Sequence, residues 1–251
     1  NYMVPWYDLS QTHQRIRPQL EDAIRRVLDK DIFIGGSEVS EFEAEYAAYM
    51  GVKHCIAVSN GLDALHLIFV ALDYPAGSEV ILPSNTYIAS ALAVSYAGLK
   101  PVLVEMDPET GLIRPENIEA AITAKTRAIM PVHLFGNACD MGAIMRIAEK
   151  HGLQIVEDNA QAQGCLYHEQ NTGTFGIASG TSFYPGKNIG ALGDAGAVVT
   201  NDDSMAEKIR MLQNYGSKVK YAHEMKGFNA RMDTIQAAVL REKLKFLPEW
   251  N

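Results

Sequence analysis

Three cysteines in 251 residues, with no paired spacing, provide no disulfide framework. Cys55 and Cys165 lie in or beside apolar segments and read as small core residues. The seven histidines are scattered, with no HxxxH-type pair and no cysteine cluster beside them, so no metal site is expected. No uncharged run reaches the roughly 18 residues that a membrane-spanning helix needs. No basic-then-apolar signal segment opens the chain, and the expected location is the cytoplasm. No GxGxxG follows an early strand, which sets aside a nicotinamide-binding Rossmann enzyme. Positive charge is also short: 22 Lys and Arg stand against 30 Asp and Glu, a net charge of −8. That balance excludes a broad nucleic-acid or anionic-membrane surface and leaves room only for local cationic pockets.

What the chain has is a 47% apolar composition, ample for a large core. Strand and helix patterns alternate, which predicts an α/β fold with a mostly parallel central sheet flanked by helices. Helical spacing of Val39, Phe42, Tyr46 and Tyr49 predicts a helix over 38–50 closed by Gly51. Strands are expected at 55–58, 80–83, 102–104, 127–133, 153–156 and 195–200. Helices are expected after Gly61, over 88–97, from Pro115, from Asp140 to Lys150, over 203–215 and over 233–246. The N-terminal residues 1–36 read as an arm and one helix (16–28), 37–230 as the large domain, and 231–251 as a helix leading onward. Leu247 and Trp250 are expected to be exposed, as at the edge of a chain that continues into a further region.

Ligands in parallel sheets collect at the carboxyl ends of strands. Asn60-Gly61, Asp158 and Ser182 fall at or just beyond such ends. Lys187 follows a Pro-Gly turn and has Phe183, Tyr184, Ile189, Ala191 and Leu192 around it, with no charge until Asp194. A lysine desolvated in this way has a lowered pKa and is nucleophilic. One cofactor uses this whole set. Pyridoxal 5'-phosphate needs an amine to hold its aldehyde as an imine, a carboxylate to keep its ring nitrogen protonated, and hydroxyl and N–H donors for its phosphate. Lys187, Asp158, and Ser182 with the turn at Asn60-Gly61 offer these. The turn presents the first N–H groups of the following helix, a favourable berth for phosphate. Gln161 can reach the ring oxygen or face solvent. Tyr87 can stack on a flat ring or sit in the core with its hydroxyl satisfied.

In order along the chain, these residues resemble the sugar aminotransferases of the DegT/DnrJ/EryC1/StrS family, of the aspartate-aminotransferase fold type. The matching strings are 58–65 (VSNGLDAL), 131–136 (PVHLFG), 157–161 (EDNAQ), 182–188 (SFYPGKN) and 193–196 (GDAG). The resemblance implies a fold type I large domain with the small C-terminal domain missing. It implies that Lys187 bonds the cofactor and then moves the proton, that Asp158 pairs with the pyridine nitrogen, Gln161 with the ring hydroxyl, and that Tyr87 stacks. It assigns the phosphate to the Gly61 and Leu62 N–H groups and to Ser182. Asn229 matches a position that reaches into the neighbouring subunit's site, which implies a homodimer with shared active sites.

The implied reaction passes an amino group from L-glutamate to a nucleotide-linked keto-sugar. The strings at 59–63 and 135–140 look closest to members acting at C3 of dTDP-3-keto-6-deoxyhexoses, with action at C4 the alternative. Related dehydratases carry His where this chain has Lys187. A non-catalytic binding or regulatory protein on the same fold is the other alternative, against which Lys187, Asp158, Gln161 and Ser182 stand together. One departure is Ile177, after Gly173-Thr174-Phe175-Gly176, where the family pattern has a polar residue.

Overall fold

In the computed structural model, which describes Pro5 and residues 8–219 and 222–251, the alternation resolves into three layers. Helices α1 (Ser10–Arg15), α2 (Arg17–Lys30) and α3 (Ser37–Met50) lead into β1 (His54–Val58) and α4 (Gly61–Leu72). Then come β2 (Glu79–Pro83), α5 (Ile88–Tyr96), β3 (Lys100–Val104), α6 (Pro115–Ala121) and β4 (Thr126–Ile129). A short turn at Leu134–Gly136 precedes α7 (Met141–His151), β5 (Gln154–Asp158), and the small hairpin of β6 (Leu166–Tyr167) and β7 (Gln170–Asn171). The chain continues through β8 (Ala178–Ser182), β9 (Gly196–Thr200) and α8 (Asp203–Leu212). A second hairpin, β10 (Ser217–Val219) and β11 (Ala222–His223), leads to α9 (Thr234–Leu244) and α10 (Leu247–Trp250).

The main sheet has the order β1-β9-β8-β5-β4-β2-β3. Strands β3, β2, β4, β5 and β8 run parallel, while β9 is antiparallel to both its neighbours. The reversal follows from connection length: a parallel partner needs a crossover, usually a helix, whereas β8 and β9 are joined by one irregular loop. That loop carries Lys187. Side chains alternate across the sheet with period two. Ile56, Val58, Val156 and Val198 face α4, α5 and α8, while Cys55, Ala57, Ala197 and Val199 face α3 and α9. Ile81, Ile129 and Ile155 pack under α6 and α7.

Several sequence expectations are corrected. Strand β4 stops at Ile129, because Pro131 has no N–H to give the ladder, and Val132 keeps only a single bridge to Asp158. Helix α8 ends at Leu212, since Tyr215 and Gly216 both take positive φ (57° and 72°). Leu247 is fully buried with Leu240 and Leu244 in the core beside Phe42, and Trp250 is half-buried and stacks on Phe246 at 5.7 Å. Cys165 is only half-buried, whereas Cys139 is wholly buried. Ile177 packs on the core under α4, which accounts for an apolar residue at that departure.

Edge strand β1 is closed by side chains. Ala57 N–H donates to Glu43, Arg210 donates to the Cys55 carbonyl, and the two side chains pair at 2.9 Å. The pair occupies hydrogen-bonding groups that would otherwise be open to another strand.

Lys243 of α9 is almost fully buried, and burial pushes its amine down to about 8. Between about pH 8 and the ordinary 10.5 the unfolded chain therefore holds a proton that the folded one has released. Stability from this group rises with pH through that window. Denaturation midpoints of wild type and Lys243→Met, compared from pH 7 to 10.5, should diverge in favour of wild type as pH rises.

Candidate active site

Strand β5 ends in two carboxylates, and its pleat sends them to opposite faces. Asp158 turns toward α5, where Ser90 donates its hydroxyl to Oδ2 at 2.7 Å and Thr86 lies 2.7 Å from Ser90 Oγ. Ala160 N–H donates to Oδ1 at 3.1 Å. Burial pushes the Asp158 carboxyl up, while the hydrogen bonds from Ser90 and Ala160 N–H and the charge of Lys187 pull it back.

Glu157 points to the other face and is wholly buried. Its Oε1 accepts from His133 Nε2 at 3.0 Å and Gly173 N–H at 2.7 Å; its Oε2 accepts from Phe175 and Gly176 N–H at 2.7 and 2.8 Å. Cys139 N–H donates to His133 Nδ1 at 3.1 Å, which fixes a lone pair there and the ring proton on Nε2. This carboxylate ties the 173–176 loop and the 131–139 segment to β5, so that Asp158 is held from both sides. His133 N–H donates to the Asp158 carbonyl, and Asp158 N–H donates to that of Pro131.

Lys187 sits on the loop between β8 and β9. Ala191 N–H to the Phe183 carbonyl closes the loop, and Lys187 N–H to the Tyr184 carbonyl makes the turn (both 2.8 Å). A Cβ on Gly190 would lie 2.3 Å from the Pro185 carbonyl oxygen, so only glycine lets the loop close this tightly. Phe183 anchors its base edge-on against Phe42 and Tyr46 at 5.5 and 5.2 Å. Ile189 and Ala191 are buried, but Tyr184 and Leu192 are 55% and 41% exposed, which corrects the expectation that all the apolar neighbours enclose the lysine. Burial lowers the Lys187 amine and the Asp158 carboxylate pulls it partly back. Among the described residues no carboxylate forms an ion pair with it.

The N-terminus of α4 abuts the same loop. Asn60 caps the helix, its Oδ1 accepting from Asp63 N–H at 2.8 Å, while Asp63 receives the Ser59 hydroxyl and the Asn60 amide. Gly61 and Leu62 N–H lie in the first turn and have no intrahelical acceptor. A Cβ on Gly61 would fall 2.7 Å from Ser182 Cβ, and one on Gly196 would fall 2.4 Å from the Asn60 carbonyl. These glycines let helix, hydroxyl and β9 converge on one small cradle.

Gln161 accepts a 2.8 Å bond from Phe135 N–H through Oε1, which aims the rest of its amide. Phe135 takes a φ of 58° to make that contact and is itself exposed. Tyr87, just before α5, is 72% exposed, so the core alternative for it fails. Asn229 is exposed on the strand-like segment whose next residue, Ala230, accepts from Ser59 N–H. Nothing places it against Asp158 or Lys187. Tyr87, Phe135 and Tyr184 border the site and are exposed. A cavity of about 700 Å³ between α3, β1 and α8 contains none of these residues.

An amine with no ion-pair partner among the described residues, a buried carboxylate set to bind a cation, and an N–H and hydroxyl cradle for an anion form one set, and they fit pyridoxal phosphate. The model of the DegT/DnrJ/EryC1/StrS aminotransferase family matches residues 14–251. The chain belongs to this family. It is 49% identical over 99% of its length to dTDP-3-amino-3,4,6-trideoxy-alpha-D-glucose transaminase of Streptomyces venezuelae, covering 65% of that protein. It is 51% identical, over 99% of its length and 69% of the relative, to dTDP-3-amino-3,6-dideoxy-alpha-D-galactopyranose transaminase of Aneurinibacillus thermoaerophilus. The chain thus spans about two thirds of the length of the curated relatives it matches. The X-ray structure of S. venezuelae DesV in complex with a ketimine intermediate matches with a TM-score of 0.96 at 48% identity, over 99% of this chain and 67% of that one. The structure of ntda from Bacillus subtilis with bound cofactor PMP matches at 0.92 and 33%, over 98% and 57%. The family's cofactor is pyridoxal 5'-phosphate, and its fold is that of the three-layer domain described above. Among the described residues no helix is long and apolar enough to cross a membrane.

The sequence did not single out Ser90, Thr86, His133 or Glu157 as parts of the site. Only the pair of adjacent acids at a strand end hinted that one of them faces away and must find donors.

Proposed function

We propose that the protein is a pyridoxal phosphate-dependent aminotransferase that passes the amino group of L-glutamate to C3 of a dTDP-linked 3-keto-6-deoxyhexose. The observation that carries this reading is buried Asp158 at the end of β5, held by Ser90 and Ala160 N–H, with Lys187 on the β8–β9 loop close enough for each charge to act on the other. Two relatives of about half identity, named as transaminases making dTDP-3-amino sugars, support the choice of C3.

When bound, the cofactor supplies an electron sink that makes the proton on the amine-bearing carbon acidic. The chain's own residues would do the rest. Asp158, held by Ser90 and Ala160 N–H, keeps a proton on the ring nitrogen. Gly61 and Leu62 N–H with Ser182 hold the phosphate. Gln161 orients the ring through its hydroxyl, and exposed Tyr87 covers a face of it. Lys187, whose amine is lowered by burial, has a neutral fraction able to take a proton from one carbon and return it to another. Donor and acceptor then use the same residues in turn, which gives ping-pong kinetics.

Exposed Tyr87 and Asn229 support a homodimer in which each subunit completes the other's site. A charged nucleotide sugar does not cross a membrane unaided, and we place the reaction in the cytoplasm. A relative named as a sensory transduction protein and one named as a pleiotropic regulatory protein favour the non-catalytic alternative by name alone.

The test is a comparison of dTDP-3-keto- and dTDP-4-keto-6-deoxyhexose as acceptors with L-glutamate, with 2-oxoglutarate and the amino sugar both measured. The expected result is a kcat/KM for the 3-keto sugar at least about tenfold above that for the 4-keto sugar. A preference for the 4-keto sugar overturns the regiochemistry, and release of no 2-oxoglutarate with either overturns the function.

A further inference from the structure

Beneath the loop that carries Lys187 lies a second lysine with no assigned role. Lys243, on the last turn of α9, is 2% exposed. Its Nζ donates to the Gly190 carbonyl at 2.5 Å and sits 2.9 Å from His13 Nε2 of α1. An ammonium has no lone pair, so the imidazole is the acceptor. Burial and the charge of Lys243 both push His13 down, which keeps it neutral and able to accept. Among the described residues Lys243 has no carboxylate partner.

Burying an amine on these terms costs stability, and an apolar side chain of the same shape would pack there without that cost. The geometry of its one carbonyl contact explains why a lysine stands here. Gly190 is the pinch of the loop, the residue that closes against Pro185 and precedes the Ala191–Phe183 hydrogen bond. Gln236, two turns back on the same face of α9, accepts from Leu192 N–H at 2.8 Å. Helix α9 therefore grips the return limb of the loop at two points, and on the Lys187 side Asn188 is tied to the Gln163 carbonyl at 2.7 Å.

We propose that Lys243 is a positioning residue for Lys187: by clamping the Gly190 carbonyl it holds the loop so that the Lys187 amine stays beside Asp158, and through His13 it links that loop to α1. It acts through the loop and touches neither cofactor nor substrate. The inference rests on the reading of Lys187 as the residue that bonds the cofactor.

Its test uses the apoprotein of wild type and Lys243→Met, a replacement of similar length that keeps the core filled. The rate of covalent attachment of pyridoxal phosphate at pH 7 is followed by visible absorption. The affinity for pyridoxamine phosphate, which has no aldehyde to react, is measured alongside. The expected result is attachment slowed about tenfold, as an amine displaced from its site is more solvated and more protonated. Pyridoxamine phosphate affinity should stay within about threefold, because the cradle at Gly61 and Ser182 is separate. Lys243→Gln, whose amide falls one bond short of the carbonyl, gives the same comparison where the methionine variant does not fold. A folded variant that attaches the cofactor at the wild-type rate overturns the role of Lys243. A wild type that attaches none overturns the role of Lys187 instead.

Discussion

Lys187→Ala is expected to lower turnover by at least about 10³-fold while leaving the fold intact, since in the proposed function it removes both the nucleophile and the proton carrier. Nothing else in the site can replace it. The other lysine near the loop, Lys243, is committed to the Gly190 carbonyl and His13, and His133 gives its only proton to Glu157. The substitution removes a partly desolvated amine that has no salt bridge among the described residues, so thermal stability should hold or rise slightly. Pyridoxamine phosphate affinity should change by less than about threefold, because the proposed function gives phosphate and ring to other residues. Single-turnover kinetics with L-glutamate measure the effect. A variant within about tenfold of wild type would show that the amine is not the group that moves the proton.

The largest effect on stability is expected from Glu157→Gln. The carboxylate accepts two donors on each oxygen, all from buried or half-buried positions. An amide offers one oxygen and turns an NH₂ group toward the other two donors. Two N–H groups then lose their acceptor around a wholly buried side chain, which costs about 3–5 kcal/mol. For a chain of this size that is a fall in melting midpoint of roughly 10 °C. The 173–176 loop should loosen first, and with it the floor of the site. Urea unfolding measures the change; a loss below about 1 kcal/mol would mean that the four bonds do not act together.

The parts of the site that were legible in the sequence are those whose chemistry is carried by one side chain at a turn. Lys187 after Pro-Gly, Asp158 at a strand end and Asn60-Gly61 at a helix start each announce a local geometry. Ser90 could not be read this way, because it meets Asp158 across 68 residues. The same holds for His133 and Glu157, joined only once β5 lies beside the segment after β4. Among the strands, β8 escaped notice because Ala178-Ser179-Gly180-Thr181-Ser182 has no large apolar residue. Its glycine is explained by α4, since a Cβ on Gly180 would lie 2.8 Å from Leu65. The antiparallel direction of β9 is a consequence of connection length, which pattern alone does not weigh.

Leu247 shows the opposite failure. A chain end without a cap suggested exposure, yet the residue is wholly buried against α3 and α9. Burial is decided by what α9 packs on, and no local signal near the terminus encodes that.

In the proposed function Lys187 and Asp158 together hold and use pyridoxal phosphate. The most direct measurement is the visible spectrum of the protein after addition of pyridoxal phosphate and then of L-glutamate, with Lys187→Ala treated alongside. The predicted result is a band for the lysine-bound cofactor in wild type only, which converts to that of pyridoxamine phosphate when glutamate is added. Folded wild-type protein that shows no such band, or a band equally present in Lys187→Ala, would contradict it.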